Sequence, residues 1–94
     1  MQVKAAIEKK LGEGLKPLRL KVVDESHLHA GHAGAREGGE SHFRVEVVAS
    51  AFAGLARVAR QRLVYGLLAE ELAGPIHALA LSTLTPEEDK PPLG

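Results

Sequence analysis

In Ser41-His42-Phe43-Arg44-Val45-Glu46-Val47-Val48, polar and apolar side chains alternate from His42 to Val47. On an extended chain Phe43, Val45 and Val47 fall on one side and His42, Arg44 and Glu46 on the other, the period-two pattern of a strand with one face buried. Upstream, Leu18, Leu20 and Val22 alternate with Arg19 and Lys21 in the same way, and Val23 breaks the polar phase just before Asp24. Two such strands in succession predict an antiparallel pair whose apolar face meets helices.

Outward from this pair the pattern changes to a helical period. Val3, Ala6, Ile7 and Leu11 form a stripe with Lys and Glu on the other side, which Gly12 and Gly14 are predicted to end and Pro17 to keep from restarting. Past Ser50-Ala51-Phe52-Ala53-Gly54, the spacing predicts the longest helix, over roughly residues 56–73. Its stripe is Val64, Leu67, Leu68 and Leu72, widened by Leu63 and Ala59. Arg57, Arg60 and Arg62 crowd its first turns, where the helix dipole favours acids.

Gly74-Pro75 stops that helix. Ile76 to Leu81 is apolar on both faces except for His77, which predicts a buried strand reached by a crossover and parallel to its neighbour. Thr85-Pro86-Glu87-Glu88 has the grammar of a helix start, with Thr at the N-cap, Pro at N1 and Glu at N3, and Pro91-Pro92 leave it about one turn. The reading is one small α+β domain over residues 1–94, in α-β-β-α-β order with a three-stranded mixed sheet. Its ordered core is expected over about residues 2–86, with flexible stretches at 25–40 and 87–94.

Ninety-four residues with 45% apolar content but two Phe and one Tyr imply an aliphatic core. With no cysteine, the chain has no disulfide framework and cannot by itself build an all-thiolate zinc or iron–sulfur site. Any metal must sit on nitrogen and oxygen donors or share donors with a partner. No apolar run has signal or membrane-span length, so a soluble, cytoplasmic protein is expected, without membrane association. Twelve basic residues balance twelve acidic ones, so the basic excess of a nucleic-acid binder is missing overall. Residues 1–23 nonetheless carry a local excess of four positive charges.

Chemistry concentrates in Asp24-Glu25-Ser26-His27-Leu28-His29-Ala30-Gly31-His32, which puts three of the five histidines into six residues. Imidazole is the commonest metal ligand. Long loops inside compact domains are either functional or disordered, and the histidines favour function at this end of the stretch. His77 by itself reads as a strand-start histidine hydrogen-bonded to backbone. The Gly-Pro before it sharpens the reading by putting its ring at a sheet end open to a partner. His42, in the polar phase of its strand, reads as a solvated or cross-strand residue.

Val23-Asp24-Glu25-Ser26-His27, Glu40-Ser41-His42-Phe43-Arg44-Val45, Phe52-x-Gly54, Arg60-x-Arg62 and His77-Ala78-Leu79 come in the order and spacing of the BolA family, which the chain resembles from its first helix to Thr85-Pro86. The resemblance implies a fold like the class II KH domain and a non-enzymatic adaptor or regulator. It also implies a heterodimer with a monothiol glutaredoxin and a shared [2Fe-2S] cluster. In that arrangement the glutaredoxin cysteine and glutathione supply sulfur while this chain supplies histidine, at His77 and at a loop position placed at His29. Gln61 stands where many members have histidine. The loop after His29 is longer and richer in glycine than in many members, so His27 and His32 remain alternates. A homodimer of the free chain also stays open.

The competing functions are weaker. His77 with the loop histidines could hold zinc, but nothing marks a general base, and loose residues preorganise ligands poorly. Asp24, Ser26 and His27 are too close on one extended segment to converge as a triad. Gly31-His32-Ala33-Gly34 spells G-x-x-G, yet it lies between two strands, whereas the KH clamp lies between two helices. DNA binding of the BolA type is the serious alternative, with Arg57, Arg60 and Arg62 as a partner-facing or phosphate-facing rim. The near absence of aromatics argues against base stacking. Because a ligating imidazole must be deprotonated, cluster assembly is expected to weaken as pH falls through histidine titration.

Overall fold

The computed structural model describes residues 2–25 and 41–89. The stretch of clearest alternation forms β2 (His42–Val48), the central strand of a three-stranded sheet. β1 (Arg19–Asp24) pairs with it antiparallel, with Val22 opposite Val45. β3 (Ala78–Leu84) pairs on its other side in parallel, with Leu81 opposite Val45. The mixed sheet expected from sequence is therefore present.

Phe43, Val45 and Val47 are buried and meet α1 (Gln2–Leu15) and α2 (Arg57–Leu67). Ile7, Leu11 and Leu15 from α1 and Val64 from α2, together with Leu68, Phe52 and Ile76, complete a core that is aliphatic apart from two phenylalanines. The register stacks Lys21, Arg44, Glu46, Ala80 and Ser82 on the opposite face of the sheet, around an open groove of about 290 Å³.

Three features depart from the sequence reading. First, α1 continues through Gly12 and Gly14 to Leu15, and Lys16 ends it in the left-handed region at φ 47°. Each helical glycine costs about 1 kcal/mol against alanine, but the extra turn buries Leu15, which is worth about 1.5–3 kcal/mol. At Gly14 the missing side chain also admits a neighbour, since a Cβ there would stand 2.9 Å from both Cδ atoms of Leu67.

Second, the helix expected over 56–73 is two helices. Leu68, with φ −105° and ψ 20°, separates α2 from α3 (Ala69–Ala73), which makes α1 the longest helix described. Leu68 is fully buried and anchors the break. The reoriented α3 brings Glu71 to Lys10 of α1, 2.8 Å away.

Third, β3 is an edge strand rather than one buried on both faces. Its alternation runs between exposed Ala78, Ala80 and Ser82 and half-buried Leu79, Leu81 and Thr83. Small alanines tolerate the open face, so an apolar run here did not require burial.

The C-terminal grammar is realised in α4 (Pro86–Asp89). The Thr85 hydroxyl accepts from the Glu88 N–H at 3.2 Å, and the Glu88 carboxylate accepts from the Thr85 N–H at 2.9 Å, a reciprocal capping box. Glu87 to Asp89 thus belong to a helical turn rather than to the tail.

Candidate functional site

At the start of β3 the chain is tightly held. Ile76 is buried and its N–H donates to the Glu71 carbonyl at 2.9 Å, which closes the turn through Gly74-Pro75. The next two N–H groups, of His77 and Ala78, both donate to the Ser41 carbonyl, at 2.7 and 3.2 Å. The start of β3 is thereby tied to the start of β2. From this pinned backbone the His77 side chain stands exposed.

His42 lies directly across from Ala78 and is 7% exposed. Its ring centroid is 5.3 Å from that of His77, with the planes inclined by 50°. Its Nδ1 shares a 2.9 Å hydrogen bond with the Ser41 hydroxyl. The cross-strand half of the sequence reading for His42 therefore holds, and the solvated half does not. Its strand phase is polar, yet the ring is buried, with the His77 ring beside it.

The same end of the sheet holds both described ends of the histidine-bearing stretch. The Glu25 N–H donates to the His42 carbonyl at 2.8 Å, and Arg44 Nε donates to the Glu25 carboxylate at 2.9 Å. The chain therefore leaves at Glu25 and returns at Ser41 beside the two imidazoles. His27, His29 and His32 lie outside the described residues. Among the described residues, no three His, Cys, Asp or Glu side chains gather closely enough to hold a metal. What this end of the sheet offers is an exposed nitrogen donor with a buried, hydrogen-bonded ring behind it.

The arginines divide. Arg57 and Arg62 are exposed, and Arg57 borders a hollow of about 210 Å³ with Gln61 and the second half of β3. Arg60 turns inward instead, with its side chain 12% exposed. Its Nε donates to the Leu55 carbonyl at 2.8 Å, and its Nη1 donates to the Thr83 carbonyl at 3.2 Å. Both Nη groups reach the Glu88 carboxylate, at 2.6 and 3.2 Å, and the guanidinium lies 6.0 Å from the Phe52 ring centre.

These bonds hold the Glu88 carboxyl well below the usual range, at about 2, chiefly through Arg60 and then through the Thr85 N–H. The Arg60 guanidinium is raised in return. Arg60 is thus an internal strut joining α2, β3 and α4, and of the three arginines Arg57 and Arg62 are the exposed ones. The signal was in the sequence, because Arg60 precedes Val64, Leu67 and Leu68 by four, seven and eight residues and so lies on the buried stripe.

A family model described as BolA-like protein matches residues 11–88. A relative from Vibrio cholerae, named DNA-binding transcriptional regulator BolA, is 50% identical over 92% of this chain and 77% of its own length. Human BolA-like protein 1 is 51% identical over 92% of this chain, which spans 60% of the human protein. The solved structure of BolA1 from Arabidopsis thaliana is similar with a TM-score of 0.83 at 38% identity, covering 94% of this chain and 96% of that one.

Proposed function

We propose, from the premise that this chain belongs to the BolA family, that it is a non-enzymatic adaptor which pairs with a monothiol glutaredoxin. In this reading His77 and a histidine of the 26–40 stretch, His29 in the first instance and otherwise His27 or His32, are ligands to a [2Fe-2S] cluster shared with the partner's cysteine and glutathione. The observation that carries it is the exposed His77 ring at the sheet end where Glu25 and Ser41 bring the histidine-bearing stretch out and back.

The residues fit such a group. The chain has no thiol and offers imidazole, which suits iron, at an accessible position on a rigid strand start. Nitrogen ligation in place of sulfur would give the cluster a higher reduction potential. This chain's own part is to hold the His77 backbone through the Ser41 carbonyl and to dock the partner through the rim at Arg57 and Arg62. Cluster trafficking or redox signalling are the processes such an adaptor serves.

The test is to mix the chain with cluster-loaded monothiol glutaredoxin and record visible spectra for wild type, His77→Ala and His29→Ala. A mixed-complex spectrum that changes with the wild type and is lost on replacing His77 supports the reading. A chromophore that survives replacement of both rings refutes it.

DNA binding is the second reading, favoured by the name of the Vibrio cholerae relative and by the exposed Arg57 and Arg62. DNA affinity with a steep salt slope, together with no cluster in the presence of glutaredoxin, would reverse the ranking. The zero net charge weighs against it.

A further inference from the structure

His42 has no role in the adaptor reading, yet its placement is costly. An imidazole this deeply buried must be hydrogen-bonded to be tolerated, and it stands in the phase of β2 that otherwise holds Arg44 and Glu46. Ser41 contributes to that tolerance and to something more. Its hydroxyl holds the His42 ring at Nδ1, while its carbonyl accepts from the N–H groups of His77 and Ala78. One residue therefore sets both the ring of His42 and the backbone of His77.

The cross-strand residue opposite His42 is Ala78, whose small side chain leaves space above the strand. The His77 ring stands 5.3 Å from His42 across it. The exposed imidazole thus has a rigid aromatic wall on one side and an anchored backbone beneath it.

We infer that His42 is a positioning residue: its Ser41-anchored ring confines the His77 side chain to one rotamer and presents that imidazole to an incoming metal. This rests on the adaptor reading of His77. Outer-shell partners hydrogen-bonded to a metal-binding histidine set its orientation and are worth about 10- to 100-fold in metal affinity. His42 acts on His77 by ring contact, so its effect is expected at the lower end of that range. His42 itself touches neither the partner nor the cluster in this account.

The experiment has two readouts on the same variants, His42→Ala and Ser41→Ala, with His77→Ala as control. The first uses the free protein: side-chain three-bond couplings of His77 by NMR, with the amide spectrum checking that each variant is folded. A single His77 rotamer is expected in wild type, averaging over several in His42→Ala, and partial averaging in Ser41→Ala. His42→Phe, which restores a ring wall, is expected to recover the single rotamer.

The second readout is retention of the mixed chromophore with glutaredoxin, expected to fall about 10-fold in His42→Ala, the lower end of the outer-shell range. Unchanged His77 couplings in folded His42→Ala, or in folded Ser41→Ala should His42→Ala not fold, would overturn the inference. So would an averaged rotamer accompanied by full cluster retention. A chromophore indifferent to His77→Ala would instead overturn the adaptor reading, whatever the couplings show.

Discussion

Two glycines two residues apart on one helix are expected to respond to the same substitution with different signs. Gly12 in α1 faces open space, with no atom within 4 Å of an added Cβ. Gly12→Ala therefore gains helix propensity and nothing opposes it, a stabilisation of about 1 kcal/mol. At Gly14 the same gain is available, but the new Cβ would sit 2.9 Å from both Cδ atoms of Leu67. Either Leu67 leaves its place between α1 and α2, or the helices part. Overpacking of this kind costs about 1–3 kcal/mol, so Gly14→Ala should be neutral to about 2 kcal/mol destabilising.

The two variants should differ by about 1–3 kcal/mol in urea unfolding at unchanged m-value, and by several degrees in Tm, since about 1 kcal/mol moves a domain of this size by about 4–8 °C. Adding Leu67→Ala to Gly14→Ala removes the clash and should return part of the helix-propensity gain relative to Leu67→Ala alone. Equal and stabilising effects of the two single substitutions would refute the close packing of α1 on α2 at this point.

Thr85→Ala removes the hydroxyl half of the capping box and is expected to lower unfolding stability by about 1 kcal/mol in denaturant titrations. The Glu88 carboxyl sits at about 2 in the folded chain, below its ordinary 4.5, so its bond to Arg60 contributes fully above pH 4.5 and is lost as pH falls from there toward 2. Glu88→Gln should flatten that part of the stability–pH curve, and an unchanged acid limb would contradict the strut. Arg60→Ala should lower Tm through the strut, whereas Arg57→Glu with Arg62→Glu should leave Tm within a few degrees while weakening affinity for glutaredoxin, checked by calorimetry of the mixture. Unchanged affinity would remove the rim.

The antiparallel pair and the C-terminal turn were legible because each rests on a short-range rule. Strict alternation in Phe43, Val45 and Val47 decides which face of the strand turns inward, and Thr85 with Glu88 closes a cap within four residues. What escaped depends on tertiary company. Gly14 reads as a helix stop until Leu67 is brought against it, and Leu15 makes continuing the helix worthwhile. Leu68 continues a helical stripe in sequence, but the core holds it at a break that sends Glu71 to Lys10.

At the sheet end the Gly-Pro turn lies where the sequence puts it, while the strand expected over Ile76 to Leu81 runs instead from Ala78 to Leu84, so His77 stands just before it. His42 reads from sequence as solvated or cross-strand, and nothing local reveals that the sheet order brings His77 beside it. Arg60 was grouped with its neighbours in sequence rather than with the stripe it shares with Val64 and Leu68.

The central claim is that this chain lends nitrogen donors to a cluster whose sulfur ligands come from another molecule. Pulsed electron paramagnetic resonance of the reduced mixed complex, with nitrogen-15 histidine incorporated only into this chain, tests it most directly. Nitrogen-15 couplings in the size range of directly bound imidazole, lost or altered in His77→Ala, are the expected result. A complex that carries the cluster with no such coupling from this chain would contradict the account.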